Sequence, residues 1–216
     1  MSTRTGLLKR GLRLEALTIT WNVVEAFVAI GAGWLAGSVA LVGFGLDSTI
    51  ETIAAAALYV RLRAEMRGAS EEEAEAHEAR ALRVVGVTFL ALATYIVYEA
   101  GSTLWFRDPP DVSRLGIGLA ALSLAVMPFL AWAKYRTGQM LKSRALIADA
   151  KETIACSYLS LTLLLGLGAN AVFGWWWADP VAALAMLPWV IREGLEALEE
   201  SKADCADGES VREMDR

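Results

Sequence analysis

At 216 residues the chain has room for one or two soluble domains, but 56% hydrophobic residues and a mean hydropathy of +0.42 argue for a membrane protein instead. The formal net charge is -5, and no basic stripe interleaved with aromatics is present, which argues against nucleic acid as a partner. The only two cysteines are Cys156 and Cys205, and Cys156 lies inside an apolar run, which argues against a disulfide framework.

The N-terminal segment 1–12 is basic, with Arg4, Lys9 and Arg10, and the first apolar run, 13–36, follows it directly. That run is longer than a signal-peptide core and ends without a cleavage pattern, so it reads as a retained helix. It carries Asn22 and Glu25, three residues apart. A tight break at Gly33 to Ser38 folds it back into a second span, 39–62, making an antiparallel hairpin. The polar stretch Glu65 to Ala79 reads as a helical extension or a mobile loop, and its His77, the chain's only histidine, as a solvated residue rather than a ligand. Further spans are expected at 82–105, 115–134, 144–167 and 178–198. Glu99, near the outer end of the third, reads as structural or interfacial. The acidic tail 200–216 is expected to be disordered and solvated.

Orientation follows from the basic residues, which short loops retain on the cytoplasmic side. Arg4, Lys9, Arg10, Arg13, Arg61, Arg63, Arg67, Arg80, Arg83, Lys134, Arg136, Lys142, Arg144, Arg192, Lys202, Arg212 and Arg216 fall on one side of the six spans, whereas the other has Arg107 and Arg114. The expectation is an all-α integral membrane protein: a six-transmembrane-helix bundle over 13–199 with both termini cytoplasmic. Trp34, Trp105 and Trp175 to Trp177 fall at the outer ends and read as interfacial anchors.

An ionisable side chain near the bilayer centre costs about 2.5–3.5 kcal/mol on insertion scales, so each one calls for a reason. Asp47 and Glu51 are four residues apart in the second span and share a helix face; Glu152 and Cys156 repeat that spacing in the fifth, beside Asp149 and Lys151. The second span runs inward and the fifth outward, which sets Asp47 level with Cys156 and Glu51 level with Glu152. Carboxylate oxygens and one thiolate so placed are expected to surround a tetrahedral divalent cation, with protons competing for the same donors. The plainer alternative is that Asp47 and Glu51 pair with Lys151 or act as packing groups. Glu25 either lines the approach or relays a proton. Nothing in this set points to an enzyme.

At these residues the sequence resembles the cation diffusion facilitator family of metal/proton antiporters. GSVALVGFGLDSTIE is similar to the family's second helix, SRALIADAKETIACSYLS to its fifth, ADPVAALAML to the opening of its sixth, and VYEAGSTLWFRDPP to the end of its third. The resemblance covers about residues 12–200 and implies metal ligands at Asp47, Glu51, Glu152 and Cys156, with Asp149 matching the Asp of the family's ADA triplet. Glu152 stands at a His position and Cys156 at an Asp position, so two ligand types depart from the pattern. What the resemblance implies is transport of a divalent transition metal in exchange for protons across the plasma (inner) membrane, by a homodimer held through membrane contacts, with no cofactor besides the transported ion. The thiol favours zinc first, then iron(II), cobalt(II) or cadmium. With the usual His absent, Glu152 or Cys156 is expected to release the exchanged protons, and Asn22, Glu25 and Asp149 to line a pathway or relay. No His-rich loop joins the fourth and fifth spans, and with only the short segment 200–216 after the sixth the family's cytosolic metallochaperone-like domain is expected to be missing. Two other classes fit less well: a metal-binding membrane regulator or receptor that does not transport, and an organic-cation exporter, which calls for aromatic residues around the acids.

Overall fold

A computed structural model describes the backbone of residues 2–67 and 71–214; side chains of 1–3, 68–82, 84–85, 144 and 200–216 lie outside the description, His77 and Cys205 among them. The described backbone forms six helices: α1 Ser2–Ala36, α2 Val39–Arg67, α3 Glu71–Phe106, α4 Arg114–Leu141, α5 Arg144–Phe173 and α6 Ala178–Met214. In hydrocarbon every backbone N–H and C=O must find a partner within the chain, which favours uninterrupted helices of this kind. Each outruns the apolar stretch seen in the sequence. The polar ends keep good helix formers, and the backbone is helical from Glu71 and through Met214, so much of the expected loop and part of the expected tail extend α3 and α6.

Where the helices stop, the sequence supplies the signal. Gly37 adopts a left-handed φ of 65°, and Ser38 N–H donates to Gly33 C=O at 3.0 Å, closing α1. Gly174 ends α5 in the same conformation, and Lys142 does so at the end of α4. Serine hydroxyls cap the next helices: Ser38 accepts from Leu41 N–H at 3.1 Å, Ser113 from Gly116 at 3.1 Å and Ser143 from Leu146 at 3.4 Å.

The helices pack as three antiparallel pairs. In α1/α2, Gly33 lies against Val42 and Gly45 against Ile30; in α4/α5, Gly138 lies against Ile147, and Ser160 Oγ donates to Ser123 Oγ at 3.2 Å. The α3/α6 pair closes at Gly86 and Gly194, where a Cβ on Gly86 would sit 2.8 Å from Gly194 O. Only small residues permit this approach. Gly86→Val is therefore expected to push α3 off α6 and cost about 1–3 kcal/mol, read as a lower unfolding temperature in detergent.

Among the described residues, five helices, all but α6, are long and apolar enough to cross a membrane. In α6 the uncharged stretch 180–191 is shorter, but the helix runs antiparallel to α5, with Tyr158 near Ala185 and Gly166 near Ala178 and Ala182, which places it as the sixth crossing. Phe27, Trp34, Trp105 and Phe106 are more than three-quarters exposed, on faces turned to lipid. Phe44, Ile50, Ile96, Met127, Leu163 and Met186 fill the interior.

Candidate metal site

Helix α2 turns Asp47, Ser48 and Glu51 inward while α5 does the same with Thr153, Cys156 and Ser160. Where the two helices meet, Asp47, Glu51 and Cys156 each offer a donor atom, and these atoms lie within 4.8 Å of one another. All three residues are buried, Cys156 is a free thiol, and neither carboxylate oxygen of Glu51 has a hydrogen-bond partner. A buried carboxylate without a partner is costly, so the arrangement is one a cation stabilises.

These side chains face a cavity of roughly 20 Å³, room for about one water or one bare ion. Its walls are Asp47, Ile50, Glu51, Ala54, Phe89, Glu152, Cys156, Trp189 and Glu193. No lysine or arginine is among them. Glu152 is half-buried and lines the cavity but stands outside the tight trio, so the expected four-donor set divides into three convergent donors and one at the wall.

The expected relay residues lie elsewhere. Asn22 and Glu25 are fully buried on α1 and are not among the residues of the cavity wall; Glu25 accepts from Ser48 Oγ of α2 at 3.0 Å. Asp149 is bound to Lys134, whose Nζ donates to it at 2.5 Å and sits 3.2 Å from Glu15. This corrects two expectations. Lys134 is fully buried between α1, α4 and α5 rather than in a cytoplasmic loop, and the lysine that answers buried acids is Lys134, whereas Lys151 is exposed on the outer face of α5.

Glu15, Lys134 and Glu193 were not singled out by sequence reasoning, and for two of them a signal existed. On α1, Glu15, Thr18, Asn22 and Glu25 recur at spacings of three and four and are all fully buried, a polar stripe turned inward. On α6, Glu193 falls in register with buried Met186, Val190 and Ala197, while exposed Arg192 and Glu196 pair at 2.6 Å on the other face.

Comparison with known proteins bears on this geometry. The cation efflux transmembrane domain matches residues 16–204. An uncharacterised transporter of Synechocystis is 29% identical over 82% of this chain and 58% of its own length. A manganese efflux system protein of Bacillus subtilis is 22% identical over 96% of this chain and 72% of its own, and a cadmium, cobalt and zinc/H(+)-K(+) antiporter of Bacillus velezensis is 24% identical over 88% and 62%. Against the first and third of these the chain spans less than two thirds of the relative's length.

Proposed function

The chain belongs to the cation efflux family and is a multi-pass membrane protein, and we propose that it carries a divalent transition metal across the bilayer through the cavity between α2 and α5. One observation carries this reading: three buried donors, Asp47, Glu51 and Cys156, converge within 4.8 Å, and Glu51 has both oxygens unpartnered. Two carboxylates and a thiolate suit a borderline or soft ion, zinc first, with cobalt(II), iron(II) and cadmium next. Manganese, named for one relative, prefers oxygen alone and ranks lower.

Metal binds carboxylate and thiolate only after their protons leave, so ion and protons exchange at the same atoms. An inward proton gradient then drives the ion out as the site alternates between the two sides. Asn22 and Glu25, buried on α1 outside the cavity wall, offer protons a route distinct from the metal cavity. Fluorescent-probe flux in proteoliposomes tests the proposal: zinc moves in exchange for protons, faster as the imposed pH difference grows. Binding without any flux supports a receptor instead.

The thiol has its own test. Cys156→Ser keeps the volume but removes the soft donor, so affinity for cadmium and zinc falls by at least the roughly 10-fold that loss of a mere supporting group costs, while affinity for manganese holds or rises. Competition titration against a chelator reads both ions on one preparation.

A further inference from the structure

The outer ends of α2 and α6 are fastened to each other. Asp179, in the first turn of α6, accepts a hydrogen bond from Ser38 Oγ at 2.5 Å and another from Ala40 N–H at 3.4 Å. Both helices run inward from that level. Glu51 follows Ser38 by 13 residues and Glu193 follows Asp179 by 14. At about 1.5 Å per residue the two carboxylates come to the same depth, roughly 20 Å from the fastening.

Burial and lining agree with that depth. Glu193 is 9% exposed and shares the cavity wall with Asp47, Glu51, Glu152 and Cys156, and Trp189, one helical turn earlier, stands beside it. Gly194 brings α6 against Gly86 and Phe89 of α3, so Glu193 projects from a tightly joined helix pair, and Phe89 of the same pair also lines the cavity.

We propose that Glu193 is a further ligand of the transported ion, supplied by α6, so that a bound ion joins the α2/α5 helices to the α3/α6 pair. The proposal rests on the reading of this cavity as the metal site. Asp47, Glu51 and Cys156 give three donors, whereas a tetrahedral ion takes four and can expand to five. Glu152 and Glu193, outside the convergent trio, line the same cavity and are its remaining carboxylates. Asp47, Glu51, Glu152, Glu193 and Cys156 all line this one small cavity, a donor set suited to a divalent ion, and no lysine or arginine is among the described residues of its wall. An ion held by donors from both units also favours the arrangement in which they are docked, which makes occupancy and helix position interdependent.

The test is cobalt(II) titration of the full chain in nanodiscs, followed by visible absorption. Thiolate-to-cobalt charge transfer reports Cys156, and the d–d bands report the number and type of the other donors. Glu193→Gln weakens cobalt binding by about 10-fold or more and shifts the d–d bands with the charge-transfer band retained. Glu193→Cys adds a second sulfur and about doubles the charge-transfer intensity per bound ion, a gain that a purely structural role does not produce. Glu196→Gln, on the outer face, matches the parent protein. If the parent shows a charge-transfer band that Cys156→Ser removes, but Glu193→Gln and Glu193→Cys keep the parent's affinity and spectrum, the assignment of Glu193 is wrong and the metal site stands. If the parent binds no cobalt, or Cys156→Ser leaves its spectrum unchanged, the metal-site reading falls and this assignment with it.

Discussion

Asp47→Ala and Glu51→Ala each abolish metal movement in proteoliposomes and weaken zinc binding by about 100-fold or more, the upper end of what removing a supporting group costs a metal site. Both side chains are buried in the trio with Cys156, and no lysine or arginine is among the described residues that line the cavity. The effect on folding runs the other way. Each substitution removes a buried acid, and the ion-free protein is as stable as the parent or more so. Zinc raises the unfolding temperature of the parent by mass action and does so far less in either variant. Loss of flux together with a lowered unfolding temperature in ion-free buffer would mark these acids as structural and remove the basis of the assignment.

The sequence makes the architecture plain because the bilayer restricts what a chain can do. Runs of about 20 apolar residues between basic clusters have one solution, and the break between α1 and α2 is set by Gly37, which reaches a left-handed conformation at little cost. Hydropathy sees only the lipid-embedded part of each helix, so the ends of α2, α3 and α6 run past the expected limits. The trio was legible for a different reason. Spacings of four put Asp47 with Glu51 and Glu152 with Cys156, and opposed chain directions set the depths. Rotation about the helix axis is not contained in spacing, so spacing alone does not tell that Glu152 lines the wall while Cys156 joins the trio.

Glu193 shows how a one-dimensional reading misleads. Glu193, Glu196, Glu199 and Glu200 look like the start of a solvated acidic run, yet helical periodicity turns the first of them into the bundle and Glu196 out of it. In the same way Lys134 stands next to polar Tyr135 and Arg136 and reads as a loop cation, but its partners, Glu15 and Asp149, come from two other helices. A pairing between residues that far apart is visible only once the helices are placed.

That pairing predicts a large loss of stability. Lys134 is fully buried, 2.5 Å from Asp149 and 3.2 Å from Glu15, with Thr153 Oγ1 as a further acceptor at 3.3 Å. Lys134→Met keeps the stem and removes the charge, leaving two buried acids facing each other without a counter-ion, and is expected to cost about 3–5 kcal/mol. Adding Glu15→Gln and Asp149→Asn removes the stranded charges as well, and the triple variant recovers most of that loss, because a neutral hydrogen-bonded set carries no such desolvation penalty. Reversible unfolding in mixed micelles measures all the variants. The same series separates the network from transport: Glu15 and Asp149 lie outside the cavity lining, so the triple variant keeps zinc affinity within a few-fold of the parent even where Lys134→Met alone is too unstable to assay. Loss of zinc binding in a stable triple variant would instead put this charge network inside the ion pathway, as the sequence suggested for Asp149.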